Sequence, residues 1–248
     1  MYINDINILY YLGIGIIGLL VGQFIDWCNK RLPEYKKVFS KEFFTVYFKE
    51  AKPKYLLMVI TAAMYVGLLY FFGLSIDTLK YMFLVPMLIS AFVIDYRLQI
   101  IPNRLTLTIF ETGLIFTFAS VLINTNAGIS IFMNNMLGMI VGGGIFLIIT
   151  LIGGLIAGKD AMGFGDVKLM GALGLFFGWM NIIMVAVMAF LLAAVISIII
   201  LVSRKKKADE YIPFGPFIVI SAIIAMFVPS TLLLTALFKI FTLGLYKG

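Results

Sequence analysis

Two aspartates stand beside long apolar segments of a 248-residue chain in which only 12% of the residues are charged. Asp95 ends an apolar run in FVIDYRLQIIPNRLT, and Asp166 begins another in AMGFGDVKLMG. A carboxylate near hydrocarbon is costly and often functional. Two aspartates at one membrane face can divide acid and base work, because one takes a proton from water while the other donates to a scissile carbonyl. The pair therefore predicts an aspartyl protease centre.

The composition excludes the other common hydrolase chemistries. The chain has no histidine and one cysteine, Cys28, which rules out Ser-His, Cys-His and HExxH chemistry as well as a cysteine zinc cluster. Carboxylates, lysine or tyrosine must then supply any acid and base, and no metal is expected. We interpret Cys28 as a small interfacial hydrophobe, because no histidine exists to activate it.

The apolar segments predict an all-α, polytopic integral membrane protein with about eight transmembrane helices. Hydrophobic residues make up 62% of the chain, too many for an ordinary soluble domain, and many runs are long enough to cross ~30 Å of hydrocarbon. The predicted spans are 8–28, 55–74, 80–95, 105–123, 131–157, 167–178, 181–202 and 212–228. A further amphipathic or re-entrant stretch is predicted at 231–245. The first apolar segment lacks the features of a signal peptide, so we expect it to remain as a helix.

Basic loops predict the orientation. The loop between the first two spans carries eight Lys or Arg, and SRKKKADEY carries four more, so the positive-inside rule makes both loops cytoplasmic. Alternating passage through the bilayer then puts Asp95 and Asp166 on the cytosolic side of the cell membrane. The net charge of +7 is explained by these loops, so we expect the lipid bilayer as a partner and no nucleic acid.

The helix ends suggest how the two aspartates share a proton. Asp166 begins a helix, where the dipole and nearby Lys168 favour the charged form, whereas Asp95 lies near a helix C-terminus, which disfavours charge. Our hypothesis is that Asp166 is ionised and Asp95 holds the proton. Gly163 and Gly165 are expected to adopt backbone angles closed to other residues and to leave room for an extended substrate. The structural alternative is that Asp166 only caps its helix.

Glycines repeat at four-residue spacing along several predicted spans. Such pairs let helices approach closely in lipid, so they predict helix-packing faces. The pairs are Gly18/Gly22, Gly138/Gly142, Gly154/Gly158 and Gly174/Gly178.

Four ordered motifs together resemble the type IV prepilin leader peptidases, the bacterial branch of the GxGD aspartyl proteases. They are GLLVGQFIDWCNKRLP, DYRLQIIPNRLT, GFGDVKL and IPFGPFIVISA. The resemblance implies cleavage of prepilins or pseudopilins at the cytosolic membrane face, just after the glycine that ends a short basic leader. Asp95 and Asp166 take the places of the catalytic aspartates. The substrate-binding or loop-shaping positions are then Gly163, Phe164, Gly165, Lys168, Pro102, Asn103, Glu111, Pro213, Gly215 and Pro216.

The resemblance also implies a second activity, methylation of the new pilin N-terminus with S-adenosylmethionine. We expect residues 1–78 to form the methyltransferase-like region and residues 79–248 the peptidase core. The chain departs from typical bifunctional members, which carry two CxxC pairs in the first cytoplasmic loop, because residues 29–54 contain no cysteine. That departure excludes zinc more firmly than it excludes methylation. The resemblance assigns no oligomeric state.

Other roles for the acidic residues stay open at this point. Glu111, about two turns into the fourth span, is expected to be a buried carboxylate that could bind a methyl donor, contact substrate or pair with a polar neighbour. Asp26 is expected to be solvated or paired with Lys30, its i,i+4 neighbour. Two other functions compete with the protease: a secondary transporter whose aspartates relay protons, and a non-enzymatic scaffold for pilus assembly.

Overall fold

The computed structural model describes residues 2–4, 6–38, 40–47, 52–157, 162–203 and 212–241. One antiparallel pair of two-residue strands, β1 (Tyr2–Ile3) and β2 (Ile6–Asn7), precedes the first helix. A π-helical turn, Phe43–Tyr47, follows α1. The helices are α1 (Ile8–Arg31), α2 (Tyr55–Phe72), α3 (Ile76–Leu98), α4 (Asn103–Ile123), α5 (Gly128–Ala157), α6 (Phe164–Val202), α7 (Gly215–Phe227) and α8 (Ser230–Phe241). The predicted all-α class is confirmed.

Helices α1 to α6 are each long and apolar enough to cross a membrane, judged by length and composition. Helix α7 is apolar but has only 13 residues. The chain is therefore a multi-pass membrane protein, as predicted. Helix α6 is unusual because its 39 residues would extend about 58 Å if straight, nearly twice the hydrocarbon thickness.

Helix α6 reverses its direction at Gly178. This residue has φ 72° and ψ 174°, a non-helical conformation that glycine adopts without a steric penalty. On a continuous helix Met170 and Ile182 would lie about 18 Å apart. Instead, a Cβ built on Gly142 of α5 would meet both, at 2.5 Å from the Met170 carbonyl oxygen and 2.8 Å from Ile182 Cγ1. Helix α6 is therefore a hairpin of two antiparallel segments.

The hairpin explains the predicted number of spans. Its two segments, 164–177 and 179–202, correspond to the separately predicted spans 167–178 and 181–202. Together with the five preceding helices and α7, they make eight apolar helical segments in the described chain before α8. Helix α3 starts four residues before the predicted span at 80, because Ser75 caps it by accepting a hydrogen bond from the Thr78 N–H at 3.2 Å.

The chain divides into two compact units, Met1–Thr112 and Gly113–Gly248, and the boundary falls within α4. The predicted division at residues 78 and 79 separates activities rather than compact bodies, and it stays a prediction.

In the first unit, α1 packs against α2 through glycine. A Cβ on Gly18 would lie 2.6 Å from Ala62 Cα, and one on Gly22 would lie 2.5 Å from Met58 Cα. Atoms cannot approach so closely, so the two backbones touch only because these positions carry no side chain. The predicted packing role of this glycine pair is confirmed.

In the second unit, α5 packs against both segments of α6. A Cβ on Gly174 would lie 2.1 Å from the Gly138 carbonyl oxygen, and one on Gly138 would lie 2.3 Å from the Gly174 carbonyl oxygen. The prediction that these glycines allow close helix packing is confirmed. Of the remaining predicted pair, Gly158 lies outside the described residues.

Several predictions concern residues that the structure does not describe. The basic loop residues 48–51, 158–161 and 204–211 are among them, so the cytosolic orientation stays a prediction. The predicted stretch 231–245 corresponds to α8 as far as Phe241, and residues 242–245 lie outside the described chain.

Candidate active site

Asp95 lies in the last turn of α3. The helix ends at Gln99, whose left-handed conformation (φ 55°, ψ 36°) lets its N–H donate to the Asp95 carbonyl oxygen at 2.9 Å. Only 4% of Asp95 is exposed. The negative end of the helix dipole surrounds this turn, so the position disfavours a charged carboxylate. The predicted placement of Asp95 near a helix C-terminus is confirmed.

Asp166 lies in the first turn of α6, three residues after Gly163. Its backbone N–H donates to the Gly163 carbonyl oxygen at 3.0 Å, and 4% of the residue is exposed. The positive end of the helix dipole favours the ionised form there. Gly163, rather than Asp166, occupies the N-cap position, so the alternative that Asp166 serves as the N-cap is wrong.

Both aspartates are thus buried at helix ends of opposite polarity. Asp95 belongs to the first compact unit and Asp166 to the second. The opposite dipole environments agree with the hypothesis that Asp166 is ionised and Asp95 protonated, which stays a hypothesis.

The glycines beside Asp166 have ordinary backbone angles. Gly163 has φ −66° and ψ 133°, an extended conformation open to any residue, and Gly165 lies within the first turn of α6. Among the described glycines, only Gly73 and Gly178 have positive φ. The expectation that Gly163 and Gly165 need glycine-only angles is therefore wrong. Their missing side chains remain the reason that a substrate backbone could approach.

Two further predicted residues stand at the exposed start of α6. Phe164 is 56% exposed, and the Lys168 Nζ lies 5.2 Å from the centre of its ring. This distance permits a cation–π contact, which holds the ammonium group over the ring. Phe164 and Lys168 thus form an exposed aromatic and cationic surface on the helix turn that carries Asp166.

Pro102 and Asn103 shape the start of α4. Pro102 is buried, and its carbonyl oxygen accepts hydrogen bonds from the first turn of that helix, whereas Asn103 is exposed. Next to them, Arg104 Nη1 donates to the Tyr35 carbonyl oxygen at 2.6 Å and to that of Lys36 at 3.2 Å. The IPNR motif therefore fastens the chain that follows the Arg-Leu-Pro motif at the end of α1.

The Pro-Phe-Gly-Pro motif forms the start of α7 in the second unit. Gly215 and Pro216 are buried and Pro213 is half-buried. Pro216 stands at the beginning of the helix, where its fixed φ and missing N–H are tolerated. Phe214, between the motif's prolines, joins an aromatic cluster with Phe146, Phe190 and Phe217, at ring separations of 5.0 to 6.0 Å. The motif thus anchors α7 on α5 and α6.

Glu111 is exposed on α4, rather than buried as the sequence suggested. It takes part in none of the ion pairs that the described residues form. Its predicted role stays untested. Asp26, in contrast, is only 7% exposed and pairs with Lys30, whose Nζ lies 2.8 Å from Asp26 Oδ2, as one of the two expected alternatives stated.

A polar network that sequence reasoning missed fastens the first loop to α1. The Tyr47 hydroxyl donates to Asp26 Oδ2 at 3.0 Å and accepts from Gln23 Nε2 at 2.9 Å. Burial and the negative charge of Asp26 raise the pKa of Tyr47 above its ordinary value, so the hydroxyl stays protonated as a donor. The contact joins residues 21 positions apart, so no local sequence pattern predicts it.

Aromatic and cationic side chains surround this network. The Trp27 indole N–H donates to the Val38 carbonyl oxygen at 2.8 Å, and its ring lies 5.0 Å from that of Tyr47 and 5.6 Å from that of Phe43. Arg31 covers the Trp27 ring at 4.2 Å and pairs with Glu42. These contacts order the described part of a loop that contains no cysteine.

Replacing Tyr47 with phenylalanine is expected to destabilise the first loop. The change leaves the Asp26 carboxylate without one of its hydrogen bonds, which lowers the free energy of unfolding by about 2 kcal/mol. Denaturant unfolding in detergent measures the loss, and faster protease cleavage between residues 40 and 47 locates it. The control is Tyr55→Phe, because Tyr55 is 70% exposed. Equal stability of the two variants would contradict the assigned role of Tyr47.

No group of three or more Cys, Asp or Glu residues in the described chain lies close enough together to hold a metal ion. The absence of a metal from the site stays a prediction.

Comparison with known proteins places both aspartates in one matched segment. Residues 82–198 match the Type IV leader peptidase family, and this segment includes Asp95 and Asp166. The resemblance predicted from the motifs is thereby confirmed.

Several relatives bear the name prepilin leader peptidase/N-methyltransferase. The Legionella pneumophila protein is 33% identical over 156 residues, which cover 63% of this chain and 52% of the relative. The Aeromonas hydrophila protein is 29% identical over 149 residues (60% and 49%), and the Pseudomonas putida protein is 26% identical over 155 residues (62% and 51%). The chain spans about half the length of these relatives. No solved structure matches it.

Proposed function

Because residues 82–198 match the Type IV leader peptidase family, we propose that this chain is a membrane aspartyl endopeptidase that removes the basic leader from type IV prepilins or pseudopilins. One observation carries the proposal. Among the described residues of the matched segment, Asp95 and Asp166 are the two buried carboxylates. Asp95 lies in the last turn of its helix and Asp166 in the first turn of its own.

The proposed reaction is hydrolysis of a peptide bond with one proton shared between the aspartates. Ionised Asp166 takes a proton from a water molecule while the oxygen of that water attacks the scissile carbonyl carbon. At the same time Asp95 donates its proton to the carbonyl oxygen. When the tetrahedral intermediate collapses, the carbon–nitrogen bond breaks and the amine leaves with the proton that Asp166 had taken. The hydroxyl proton of the intermediate returns to Asp95. Both carboxyl groups then regain their starting forms.

The proposed site faces the cytosol and receives its substrate from the bilayer. The basic first loop supports this orientation by the positive-inside rule. The hydrophobic helix of the pilin enters laterally from the lipid, while its basic leader stays in the cytosol. The helix-end positions of both aspartates favour this function over a proton-coupled transporter, whose ion sites lie near the bilayer midplane.

Methylation of the new pilin N-terminus is the second proposed activity, and the names of the relatives support it. S-adenosylmethionine would supply the methyl group. We place this activity in the first 78 residues, where the network around Tyr47 orders the described part of the loop without cysteine.

The test is incubation of the purified full chain with a prepilin in detergent. Mass spectrometry is expected to show a product that has lost its leader after the terminal leader glycine. Addition of S-adenosylmethionine is expected to add one methyl group to that product. A prepilin that stays intact with folded protein would refute the peptidase, and it would favour the scaffold. Proton flux into vesicles that is present with the wild-type protein and lost with Asp95→Asn would favour the transporter.

A further inference from the structure

A cavity of about 160 Å³ lies beside the last turn of α3 in the first compact unit. It is lined by Asn29 from α1 and by Val93, Ile94, Arg97 and Leu98 from α3. A cavity of about 150 Å³ holds a molecule the size of benzene. The space therefore suits one small apolar group with an adjoining peptide unit, and not a whole helix.

Asn29 has unmet hydrogen-bonding capacity next to this cavity. Its side-chain nitrogen and oxygen are both buried, and neither has a hydrogen-bond partner among the described residues. Buried polar groups in folded proteins are nearly always paired, so an unpaired carboxamide calls for a partner. Because the terminal torsion of asparagine is broad, the carboxamide can turn towards a ligand in the cavity without straining the rest of its side chain.

Arg97 adds a positive charge at the rim. It is exposed and takes part in none of the ion pairs that the described residues form. Its guanidinium carries donors only, so it suits a carbonyl or carboxylate oxygen. The three remaining lining residues are apolar and provide a surface for an aliphatic group.

We propose that this cavity is a substrate subsite that binds one peptide unit of the prepilin near the scissile bond, with Asn29 as the residue that recognises the backbone. The Asn29 N–H₂ donates to a substrate carbonyl, its carbonyl oxygen accepts a substrate N–H, and Arg97 binds a neighbouring carbonyl. An adjoining small apolar side chain fills the space against the helix. The proposal rests on the proposed peptidase function, since Asp95 directly follows Ile94 in the cavity wall.

The donor and acceptor pattern favours a peptide over a lipid headgroup. A phosphodiester offers only acceptors, so it would leave the Asn29 oxygen unpaired, whereas a peptide unit offers both an N–H and a C=O.

The test compares the kinetics of prepilin cleavage by the full chain in detergent. Asn29→Asp keeps the shape of the side chain but removes its donor, and it is expected to raise KM about tenfold with kcat changed less than about twofold. Leu98→Trp fills the cavity and is expected to raise KM at least as much. The control is Asn124→Asp, because Asn124 is exposed at the end of α4 and should leave both constants unchanged.

A binding measurement separates the subsite from the chemistry. A photoreactive phenylalanine analogue at position 98 of an Asp95→Asn protein is expected to crosslink to the prepilin next to its cleavage site. Crosslinks to lipid alone would overturn the subsite, as would wild-type KM values in both cavity variants. If the wild-type protein cleaves no prepilin, the proposed function fails and this inference fails with it. If the wild-type protein cleaves prepilin and both cavity variants keep the wild-type KM, only the subsite is refuted and the proposed function stands.

Discussion

Asp95→Asn and Asp166→Asn are each expected to lower the rate of prepilin cleavage by about 10³-fold or more. An amide can neither take the proton from water nor return it to the substrate oxygen, so either change removes one half of the acid–base pair. The substitution preserves the shape of the side chain at two positions that are each only 4% exposed. Single-turnover cleavage of a labelled prepilin, with enzyme in excess, measures the chemical step.

The matched control is Asp77→Asn. Asp77 lies on α3, as Asp95 does, but it stands in the first turn at the other end of the helix, half exposed, and pairs with Lys80 at 2.7 Å. Its substitution removes a carboxylate from α3 without changing the proposed site. The cleavage rate should stay within about twofold of wild type, because an exposed ion pair contributes little to stability. Equal activity in all three variants would contradict the assignment of the pair.

The two aspartates should also behave as one unit. If they share a proton, removal of the second carboxylate costs almost nothing once the first is gone, so the double variant should be about as slow as either single variant. Losses that multiply would mean that each aspartate acts independently. That result would leave a peptidase but would refute the shared-proton mechanism.

Features that repeat along the chain could be predicted from the sequence. Apolar runs of membrane length predicted the helices, because backbone N–H and C=O groups inside a bilayer must form hydrogen bonds with each other. The packing role of the Gly18/Gly22 and Gly138/Gly142 pairs could also be predicted, because residues four apart lie on one helix face. The structure confirms that these glycines face neighbouring backbones.

Features that depend on distant residues could not be read in this way. Nothing in FFTVY shows that Tyr47 reaches Asp26, 21 residues earlier, because that hydrogen bond depends on how the loop returns to α1. The Gly163 prediction failed for a related reason. A GxG spacing suggests unusual backbone angles, but the neighbouring helix start imposes an extended conformation that any residue could adopt.

The hairpin at Gly178 lies between these cases. The sequence separated two predicted spans, 167–178 and 181–202, although the helical residues on both sides of Gly178 continue without a loop. A single residue therefore makes the reversal, and its φ of 72° would strain most other side chains. The close approach of Asn134 to Gly178 adds a steric reason, since a Cβ there would lie 2.2 Å from Asn134 Nδ2.

Gly174→Val is expected to lower the free energy of unfolding by about 3 kcal/mol or to prevent folding. The new Cβ would lie 2.1 Å from the Gly138 carbonyl oxygen and 2.2 Å from its carbon, and backbone atoms cannot move aside as a flexible side chain can. Helices α5 and α6 would have to separate along their glycine contact, which forfeits packing on both sides. Thermal unfolding of the purified protein in detergent measures the change.

Gly144→Val supplies the control for Gly174→Val, because both glycines lie within helices and only one meets a neighbour. A Cβ at Gly144 has nothing within 4 Å, so valine there should change stability by less than about 1 kcal/mol. If both variants lose the same stability, the loss comes from valine in a helix and not from the contact between Gly138 and Gly174. If only Gly174→Val is destabilised, close backbone packing holds the hairpin that carries Asp166 in its first turn. The position of that carboxylate then depends on a contact about two helical turns away.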